Sequence, residues 1–449
     1  MQNQPALKRQ LGLRTATALV IGEVIAVGIF LTPAGMTKSL GSPMWLLVVW
    51  LVMGAMAVCG ALCYAELSVR FPAAGGGYVY LREAYGPQVA FLYGWMCLLV
   101  LDPGLTAALA VGIASYVGYG MNLSPLALKT IAIAVILMIA IVNILGVRLG
   151  AWVLRWLTLL KLGLLFMIMI WGVGFQLGSW SNFVPLVAQR PNSEPLLQAL
   201  AAALVAAFFS YGGWWDVSKL AGEVKEPERN LPRALIGGVL IVTLVYVLTS
   251  AVFMYLVPVE RVASGETFAA QAGEVLFGNA GGRVFAWIVV VSVLGSLASF
   301  TMSAPRVYFA MAHDGLFFPF AANVHQRLGT PARAIALQAG LACILIALGT
   351  FDQIVAYFIF VIVFFIGLTA AAVFVFRRRP TDAGPGFRAV GYPYTTLFFL
   401  IVSVVLLAML LIRNPKQSLL GVLVVAVGIP IYYMLFGRQA KTHPGGDVE

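Results

Sequence analysis

The chain has 449 residues, of which 61% are hydrophobic and only 10% are charged. This composition excludes a soluble domain, which needs a larger polar surface, and indicates a membrane protein with many spans. The net charge of +11 is no sign of nucleic acid binding here. In a membrane protein the side on which the cations lie matters more than their sum.

Twelve apolar segments approach or exceed the roughly 20 residues that a helix needs to cross a bilayer core. In chain order they are 16–37, 44–69, 89–117, 126–145, 152–175, 196–221, 234–257, 284–312, 334–349, 354–376, 395–412 and 419–436. The first segment has spanning length and no small-residue cleavage site behind it, so we expect the amino terminus to be retained. The sequence therefore predicts an all-α polytopic membrane protein with 12 transmembrane helices.

The first predicted span contains features that break a helix. Its stretch 21–37, IGEVIAVGIFLTPAGMT, carries a carboxylate, three glycines and a proline. Glycine lowers helix propensity and proline removes a backbone donor, and freed backbone groups inside a membrane must face protein or a water-lined cavity. We therefore predict a broken helix that faces a site.

The sixth predicted span has the same character, because Ser210-Tyr211-Gly212-Gly213 interrupts the apolar, alanine-rich stretch 196–221. Five spans that start with a broken one are thus followed by five more, and an odd number of spans per repeat inverts the second half. Discontinuous helices in corresponding positions of two halves indicate the midplane binding site of a secondary transporter. We predict a five-plus-five inverted-repeat core at 1–394, two further helices at 395–437 and a tail at 438–449.

Lysine and arginine are distributed unevenly between the two sides of the membrane. Of the 28, 20 fall in connections on one side and seven on the other, and Lys161 lies inside a span. Cytoplasmic connections carry the excess of these residues. We therefore expect both termini, including the tail, to be cytoplasmic.

Cysteine and histidine give no sign of catalytic chemistry. All four cysteines lie in apolar segments, where thiols behave as small hydrophobes and not as a disulfide framework: Cys59, Cys63, Cys97 and Cys343. The three histidines fall in predicted cytoplasmic connections or the tail, so they cannot build an intramembrane metal or catalytic site: His313, His325 and His443. We expect no cofactor, no metal and no enzymatic activity.

A series of motifs runs in order along most of the chain. The longest are ALCYAEL at 61–67 and IVTLVYVLT at 241–249. The others are GIFLTP at 28–33, GGGY at 75–78, LREAYG at 81–86, SYGGW at 210–214, Glu223, RNLP at 229–232, Arg306, Gly315, RRP at 378–380 and GYP at 391–393. Together they resemble the L-type amino acid transporters of the amino acid, polyamine and organocation superfamily, as in a prokaryotic member.

The resemblance implies the LeuT-like inverted-repeat fold and alternating access for an amino acid. The physics of the two breaks can be stated independently of it. The half-helix that starts near Gly28 presents N–H groups and a positive dipole end suited to a carboxylate. The half-helix that ends near Phe209 presents carbonyl groups suited to an ammonium group. We expect a zwitterion to bridge the two.

The resemblance also implies individual substrate-binding residues. Ala26, Val27 and Gly28 stand where the family usually has Gly-Ser-Gly, so carboxylate binding would rest on backbone donors alone. Phe209 matches an aromatic residue that covers the substrate, and Tyr246 matches one that holds the site and the gating helix. Helix packing and core burial are the structural alternatives. The remaining residues of this set are Ser210, Tyr211 and Gly212.

Lys161 lies about ten residues into the fifth span, on the order of 15 Å from its cytoplasmic end. An ammonium group at that depth is expensive and marks a functional site by default. The resemblance implies a built-in cation where sodium-coupled relatives bind their ion. Lys161 is then either a fixed charge that ties the fifth span to the first and eighth, or a proton carrier. A structural buried ion pair is the third alternative.

An acidic residue, Glu23, precedes the first break by one turn, where the family commonly has an uncharged residue. A buried carboxylate needs a partner, and Lys161 is the expected one. Ser296 and Ser299 on the eighth span are expected to supply hydroxyl groups to the same cluster. Small residues such as these are also normal at helix contacts.

The predicted specificity pocket combines acids with aliphatic residues. Asp102 stands where several relatives carry arginine, and Asp216 follows the second break. These acids either pair with basic residues, sense a cationic substrate or lie in hydrated vestibules. Val361 and Ile362 occupy positions that are polar and aromatic in large-substrate relatives, so an aliphatic lining here favours neutral side chains. Leu105 belongs to the same predicted pocket.

We expect a sodium-independent transporter that exchanges or takes up neutral L-amino acids. Proton-coupled transport and transport of cationic amino acids are the alternatives, and a transporter-like nutrient sensor is a more distant one. Relatives in animals join a single-span partner through a cysteine between the third and fourth spans. Here the connection 118–125 has no cysteine, so we expect a functional monomer without such a partner.

Overall fold

The computed structural model describes residues 7–118, 121, 123–191, 193–262, 268–348, 359–379 and 386–436, with the backbone alone for 268–270 and 279. Some predictions fall outside these residues. They are the tail 438–449 with His443, the end of the ninth predicted span at Gly349 and the start of the tenth at 354–358.

The described residues form helices, and none of them forms a named strand. The α-helices are α1 (Leu13–Val24), α2 (Gly28–Leu40), α3 (Pro43–Arg70), α4 (Gly77–Tyr85), α5 (Pro87–Val117), α6 (Pro125–Leu145), α7 (Val147–Gly174), α8 (Leu196–Tyr211), α9 (Pro227–Leu256), α10 (Val259–Val262), α11 (Phe268–Phe277), α12 (Gly281–Ser303), α13 (Pro305–His313), α14 (Ala332–Leu348), α15 (Ile359–Arg378), α16 (Tyr394–Arg413) and α17 (Pro415–Ile431). Helix α5 includes a π-helical turn at Cys97–Leu101, and the 3₁₀ helix Trp214–Glu223 follows α8.

The prediction of a polytopic all-helical membrane protein is confirmed. Within the described ranges, 10 helical runs are long and apolar enough to cross a membrane, and α1 with α2 makes one more across a 42° bend. Helix α14 has only 17 residues, and the chain beyond it lies outside the described residues. The count of twelve therefore stays a prediction.

The first predicted span is broken where the sequence indicates. Helix α1 ends at Val24, Ile25 leaves the helical conformation with ψ of 78°, and α2 begins at Gly28. The N–H of Ala26 donates back to the carbonyl of Val24 over 2.8 Å. A side chain at position 28 would not fit, because a Cβ there would lie 2.7 Å from Oγ of Ser210. Because glycine has no side chain, α2 can begin in direct contact with α8 at Ser210.

The second break lies at Gly212 and Gly213, between α8 and the 3₁₀ helix. Gly213 has a φ of 107°, a conformation that residues with side chains rarely adopt. A Cβ at Gly213 would also lie only 3.0 Å from Cβ of Glu23 on α1. The two breaks are therefore packed against each other.

Helix α1 lies at the centre of the bundle, where it contacts α7, α9, α12 and the 3₁₀ helix. The helical runs differ in how much of their apolar stretch is buried. Of the 18-residue apolar stretch, 78% is buried in Gly281–His313 but only 22% in Pro415–Phe436. The latter run exposes large apolar side chains such as Leu419 and Met434. A bilayer covers such a surface with lipid.

A buried ion pair joins the second broken span to the eighth. Arg306 on α13 donates from Nε to Oε1 of Glu223 over 2.7 Å and from Nη2 to Oε2 over 3.2 Å, and both side chains are 1% exposed. Nη1 donates to the carbonyl of Met302. Lys219 is a second buried basic residue. Both basic residues are paired with acids, which a count of charges along the sequence does not detect.

Removal of one partner from the Arg306–Glu223 pair should destabilise the fold strongly, because the other charge is left buried and unpaired. We expect Arg306→Met to lower the free energy of unfolding by about 3–5 kcal/mol, measured by thermal or denaturant unfolding in detergent. The double variant Arg306→Met/Glu223→Met should regain much of that loss. The control is Arg229→Met, whose partner Glu226 lies 4.0 Å away and is exposed. A similar loss in Arg306→Met and Arg229→Met would contradict this account.

Candidate functional site

A cavity of about 70 Å³ lies between the two helix breaks. Residues of both breaks and of α5, α12 and α15 form its wall. Most of the site residues predicted from the sequence line it: Glu23, Ala26, Val27, Gly28, Leu105, Phe209, Ser210, Gly212, Asp216, Ser296 and Ile362. The structure thus brings these predicted residues together around one cavity.

The cavity wall also contains residues that the sequence analysis did not select: Val24, Leu101, Leu109, Phe208, Gly213, Trp215, Phe300 and Ile359. Some carried a signal. Leu101 and Leu109 stand four residues before and after Leu105, on the same face of a helix. Phe208 and Trp215 flank the second break. No sequence feature indicated that Phe300 and Ile359 line the cavity, because their position there depends on how helices distant in the sequence pack together.

Val361 is buried, but it does not line the cavity as predicted. The wall of α15 is formed by Ile359 and Ile362 instead. Ile359 and Ile362 are three residues apart and share a helix face, whereas Val361 points away from that face. The lining is nevertheless aliphatic, as the sequence indicated.

Two tyrosines of the predicted set lie behind the cavity wall and hold it. The hydroxyl of Tyr246 on α9 lies 2.7 Å from the carbonyl of Val24 and 2.7 Å from that of Ser210, so it joins the ends of α1 and α8. The hydroxyl of Tyr211 donates to the carbonyl of Trp50 over 3.1 Å. Both side chains are buried, so they position the backbone of the breaks and do not face the cavity.

Hydroxyl groups beside the first break come from neighbouring positions. Thr32 Oγ1 donates to the carbonyl of Gly28 over 2.9 Å and lies 2.8 Å from Oγ of Ser210. Ser210 Oγ also contacts the carbonyl of Ala206 at 3.0 Å. This chain has Val27 where the family pattern has a serine, and the hydroxyl pair of Thr32 and Ser210 bridges α2 and α8.

The helix termini at the cavity have the polarity that the sequence indicated. In the first turn of α2 the N–H groups of Phe30 and Leu31 donate to the carbonyl of Val27 over 3.1 and 3.2 Å. The N–H groups of Gly28 and Ile29 precede the first of these bonds and have no acceptor inside the helix. Helix α8 ends at Tyr211, two residues beyond the predicted end at Phe209. The carbonyl of Phe209 accepts from the N–H of Gly212 over 3.2 Å, yet a carbonyl has two lone pairs and can accept again.

The deep lysine, Lys161, is 1% exposed and fully partnered. Its Nζ donates to the carbonyl of Gly22 over 3.0 Å, to that of Ile25 over 2.6 Å and to Ser296 Oγ over 3.1 Å. An ammonium group has three donors, and all three are used. Lys161 thus connects α7 with the end of α1 and with α12.

The expected ion pair between Lys161 and Glu23 is not formed. Glu23 Oε1 instead accepts from Ser299 Oγ over 2.9 Å and from Ser303 Oγ over 2.9 Å. The break in α1 frees backbone carbonyls that lie closer to Lys161 and satisfy it. Ser303 was not selected from the sequence, although it stands four residues after Ser299, on the same helix face.

The acids at 102 and 216 share one lysine, and all three side chains are at most 1% exposed. Lys219 Nζ lies 2.9 Å from Asp216 Oδ1 and 3.5 Å from Asp102 Oδ1. Tyr308 donates to Asp102 Oδ2 over 2.6 Å. The structure thus pairs both acids with a basic residue, one of the three predicted alternatives. Lys219 was missed even though it stands three residues from Asp216, a spacing that pairs charges on a helix.

Comparisons with known proteins agree with this geometry. The sequence profile described as amino acid permease matches residues 11–436. The chain is 32% identical over 443 residues to the serine/threonine exchanger SteT of Bacillus subtilis (strain 168), covering 97% of this chain and 98% of that protein.

Two human transporters are also similar along most of their length. The large neutral amino acids transporter small subunit 2 of Homo sapiens is 30% identical over 447 residues, covering 96% of this chain and 81% of that protein. The cystine/glutamate transporter of Homo sapiens is 28% identical over 444 residues, with 96% and 86% covered. These proteins are membrane transporters and not enzymes. The chain therefore belongs to the amino acid permease family.

Proposed function

We propose that this transporter exchanges neutral L-amino acids by alternating access, without sodium, and that Lys161 takes the place of a coupling ion. The observation that carries the proposal is the pair of helix breaks at one cavity, with the start of α2 and the end of α8 on its wall. The N–H groups of the first would hold the carboxylate, and the carbonyl groups of the second would hold the ammonium group. Phe209 would cover the bound amino acid.

The rest of the cavity wall supports a neutral side chain as the substrate. Its aliphatic surface comes from two helices: Leu101, Leu105, Leu109, Ile359 and Ile362. Such a surface favours apolar groups. The name of the exchanger from Bacillus subtilis refers to serine and threonine, and that of the human small subunit 2 to large neutral amino acids. Asp102 is paired with Lys219 and Tyr308 behind the wall, so it is not offered to a cationic substrate.

The proposal extends to architecture and location. The two broken spans support a five-plus-five inverted repeat over 1–394, with two additional helices at 395–437. The excess of lysine and arginine on one side supports cytoplasmic termini in a bacterial inner membrane. The missing cysteine between the third and fourth spans supports a functional monomer without a disulfide-linked partner.

Exchange can be tested with purified protein in proteoliposomes. Uptake of radiolabelled serine, threonine or leucine should require a neutral amino acid inside the vesicles, and it should not change when choline replaces sodium. Uptake into empty vesicles driven by an inward proton gradient would contradict exchange and favour proton-coupled uptake. The absence of flux for every amino acid tested would contradict transport and favour a sensor.

Close contact of the two breaks should be essential for exchange. We expect Gly28→Ala to reduce exchange strongly, because its Cβ would lie 2.7 Å from Oγ and 2.8 Å from Cα of Ser210 and would push α2 away from α8. Gly35→Ala is the matched control, since it lies on the same helix and a Cβ there meets nothing within 4 Å. Equal rates for the two variants in the vesicle assay would show that the contact is unnecessary.

The charge of Lys161 should be needed to hold the first break. We expect Lys161→Ala to lower exchange by more than about tenfold, because it leaves the buried carbonyls of Gly22 and Ile25 without this donor, at about 1–3 kcal/mol each. Arg155→Ala on the exposed face of α7 is the control. If Lys161→Ala exchanged amino acids at the wild-type rate, the proposed role of Lys161 at the ion site would be contradicted.

A further inference from the structure

A carboxylate oxygen of Glu23 at the cavity is buried and has no hydrogen-bond partner among the described residues. Glu23 is 6% exposed and lines the cavity. Its Oε1 accepts two serine hydroxyls, but its Oε2 has no hydrogen-bond partner among the described residues. A buried carboxylate oxygen without a donor is costly. The cost disappears if Oε2 carries a proton or meets a cation.

The charged groups around Glu23 stand on neighbouring elements, and α9 adds only the buried phenol hydroxyl of Tyr246, which contacts the carbonyl of Val24. The 3₁₀ helix carries Asp216 and Lys219, α7 carries Lys161, and α5 carries Asp102. Helix α12 contributes only serine hydroxyls. Each of the four other groups is at most 1% exposed. The next ion pair, Arg306 with Glu223, is neutral by itself.

This cluster of Glu23, Asp102, Asp216, Lys161 and Lys219 has three acids and two basic groups. With every group ionised it carries one negative charge in excess, and a neutral zwitterionic substrate does not change that balance. An uncompensated charge in a low-dielectric interior is avoided by uptake of a proton. The cluster therefore needs one cation whenever the cavity holds a neutral amino acid.

The hydrogen bonds decide which group takes the proton. Asp102 accepts from Tyr308 and lies beside Lys219, and Asp216 lies 2.9 Å from Lys219. Lys161 already uses all three donors. Two carboxylate oxygens of the cavity wall have no hydrogen-bond donor among the described residues, Oε2 of Glu23 and Oδ1 of Asp216. Oδ1 of Asp216 has Lys219 as an ion-pair partner, whereas Glu23 forms no ion pair among the described residues, so Oε2 of Glu23 is the oxygen left for the proton.

We infer that Glu23 is a proton-binding site of the substrate cavity, and that it is protonated at Oε2 when a neutral amino acid is bound. A hydronium ion in the cavity gives up its proton, an O–H bond forms at Oε2, and water is left. The inference rests on the proposed transport of neutral amino acids through this cavity. It makes exchange depend on pH without a need for a pH gradient, because the proton accompanies the neutral substrate in either direction.

The test measures amino acid exchange in sodium-free choline buffers that have the same pH on both sides of the vesicle. Rates are taken from acidic to alkaline buffer, and each variant is normalised to its own rate in acid. For the wild type we expect a plateau in acid and a fall of about tenfold per pH unit beyond the titration. Glu23→Gln mimics the protonated acid and should show no such fall, whereas Glu23→Asp should retain it.

The matched control is Glu194→Gln, an exposed carboxylate 3.9 Å from Arg413, which should keep the wild-type pH profile. A wild-type rate that is flat with pH, or the same fall in Glu23→Gln, would overturn the inference. So would a restoration of the alkaline rate by sodium in the wild type, since sodium would then be the cation.

A second measurement separates this inference from the proposed function. The infrared difference spectrum of the purified protein between acidic and alkaline buffer should contain a band of a protonated carboxyl group that Glu23→Gln lacks. If no amino acid is exchanged but this band is present, the proposed transport fails and the proton site stands. If exchange occurs and the band is unchanged in Glu23→Gln, the proton site fails alone.

Discussion

The structure depends on how the carbonyl groups at the end of α1 are satisfied. A helix break inside a membrane frees backbone groups, and each unsatisfied one costs several kcal/mol in hydrocarbon. Here the ammonium group of Lys161 contacts the carbonyls of Gly22 and Ile25, and the hydroxyl of Tyr246 contacts that of Val24. The break can therefore exist without water on this side. Three separate spans are joined to α1 as a result, because Lys161 stands on α7, its partner Ser296 on α12, and Tyr246 on α9.

The opposite side of the break is organised differently. Gly28, the first residue of α2, lies on the cavity wall and has no side chain to cover the start of the helix. The acceptor side of the first break is thus filled by protein, and we propose that the donor side is left to a ligand. A site that supplies N–H groups from a fixed backbone selects an anion. The fixed acceptor side keeps those donors in place while the cavity is filled or empty.

Much of this arrangement could be predicted from one sequence because a membrane restricts what a chain can do. The two breaks are visible in glycines and a proline within apolar stretches, and Lys161 is conspicuous because a charge at that depth is rare. What the sequence could not show is which distant groups meet. The pairing of Lys161 with carbonyls instead of Glu23 depends on the path of the broken backbone, which side-chain chemistry alone does not specify. The pairing of Lys219 with Asp102 joins residues far apart in the chain, and the sequence gives no register for α5 against the 3₁₀ helix. Val361 lies behind the wall because of the rotation of α15 about its axis. The start of that helix is apolar on all sides, so its sequence does not indicate which face meets the cavity.

The buried charges also explain why the polar part of the molecule is confined to its centre. Glu23 on α1 and the four ionisable groups around it are each at most 6% exposed. The same groups on α16 or α17 would face hydrocarbon, where a charge is strongly disfavoured. Those helices expose apolar side chains instead. Because the charges lie together, they can balance one another through short contacts, and a change in one group alters the balance of all. The structure thus concentrates its electrostatic cost at the cavity, where a bound substrate or proton can alter the balance and where such a change can influence transport.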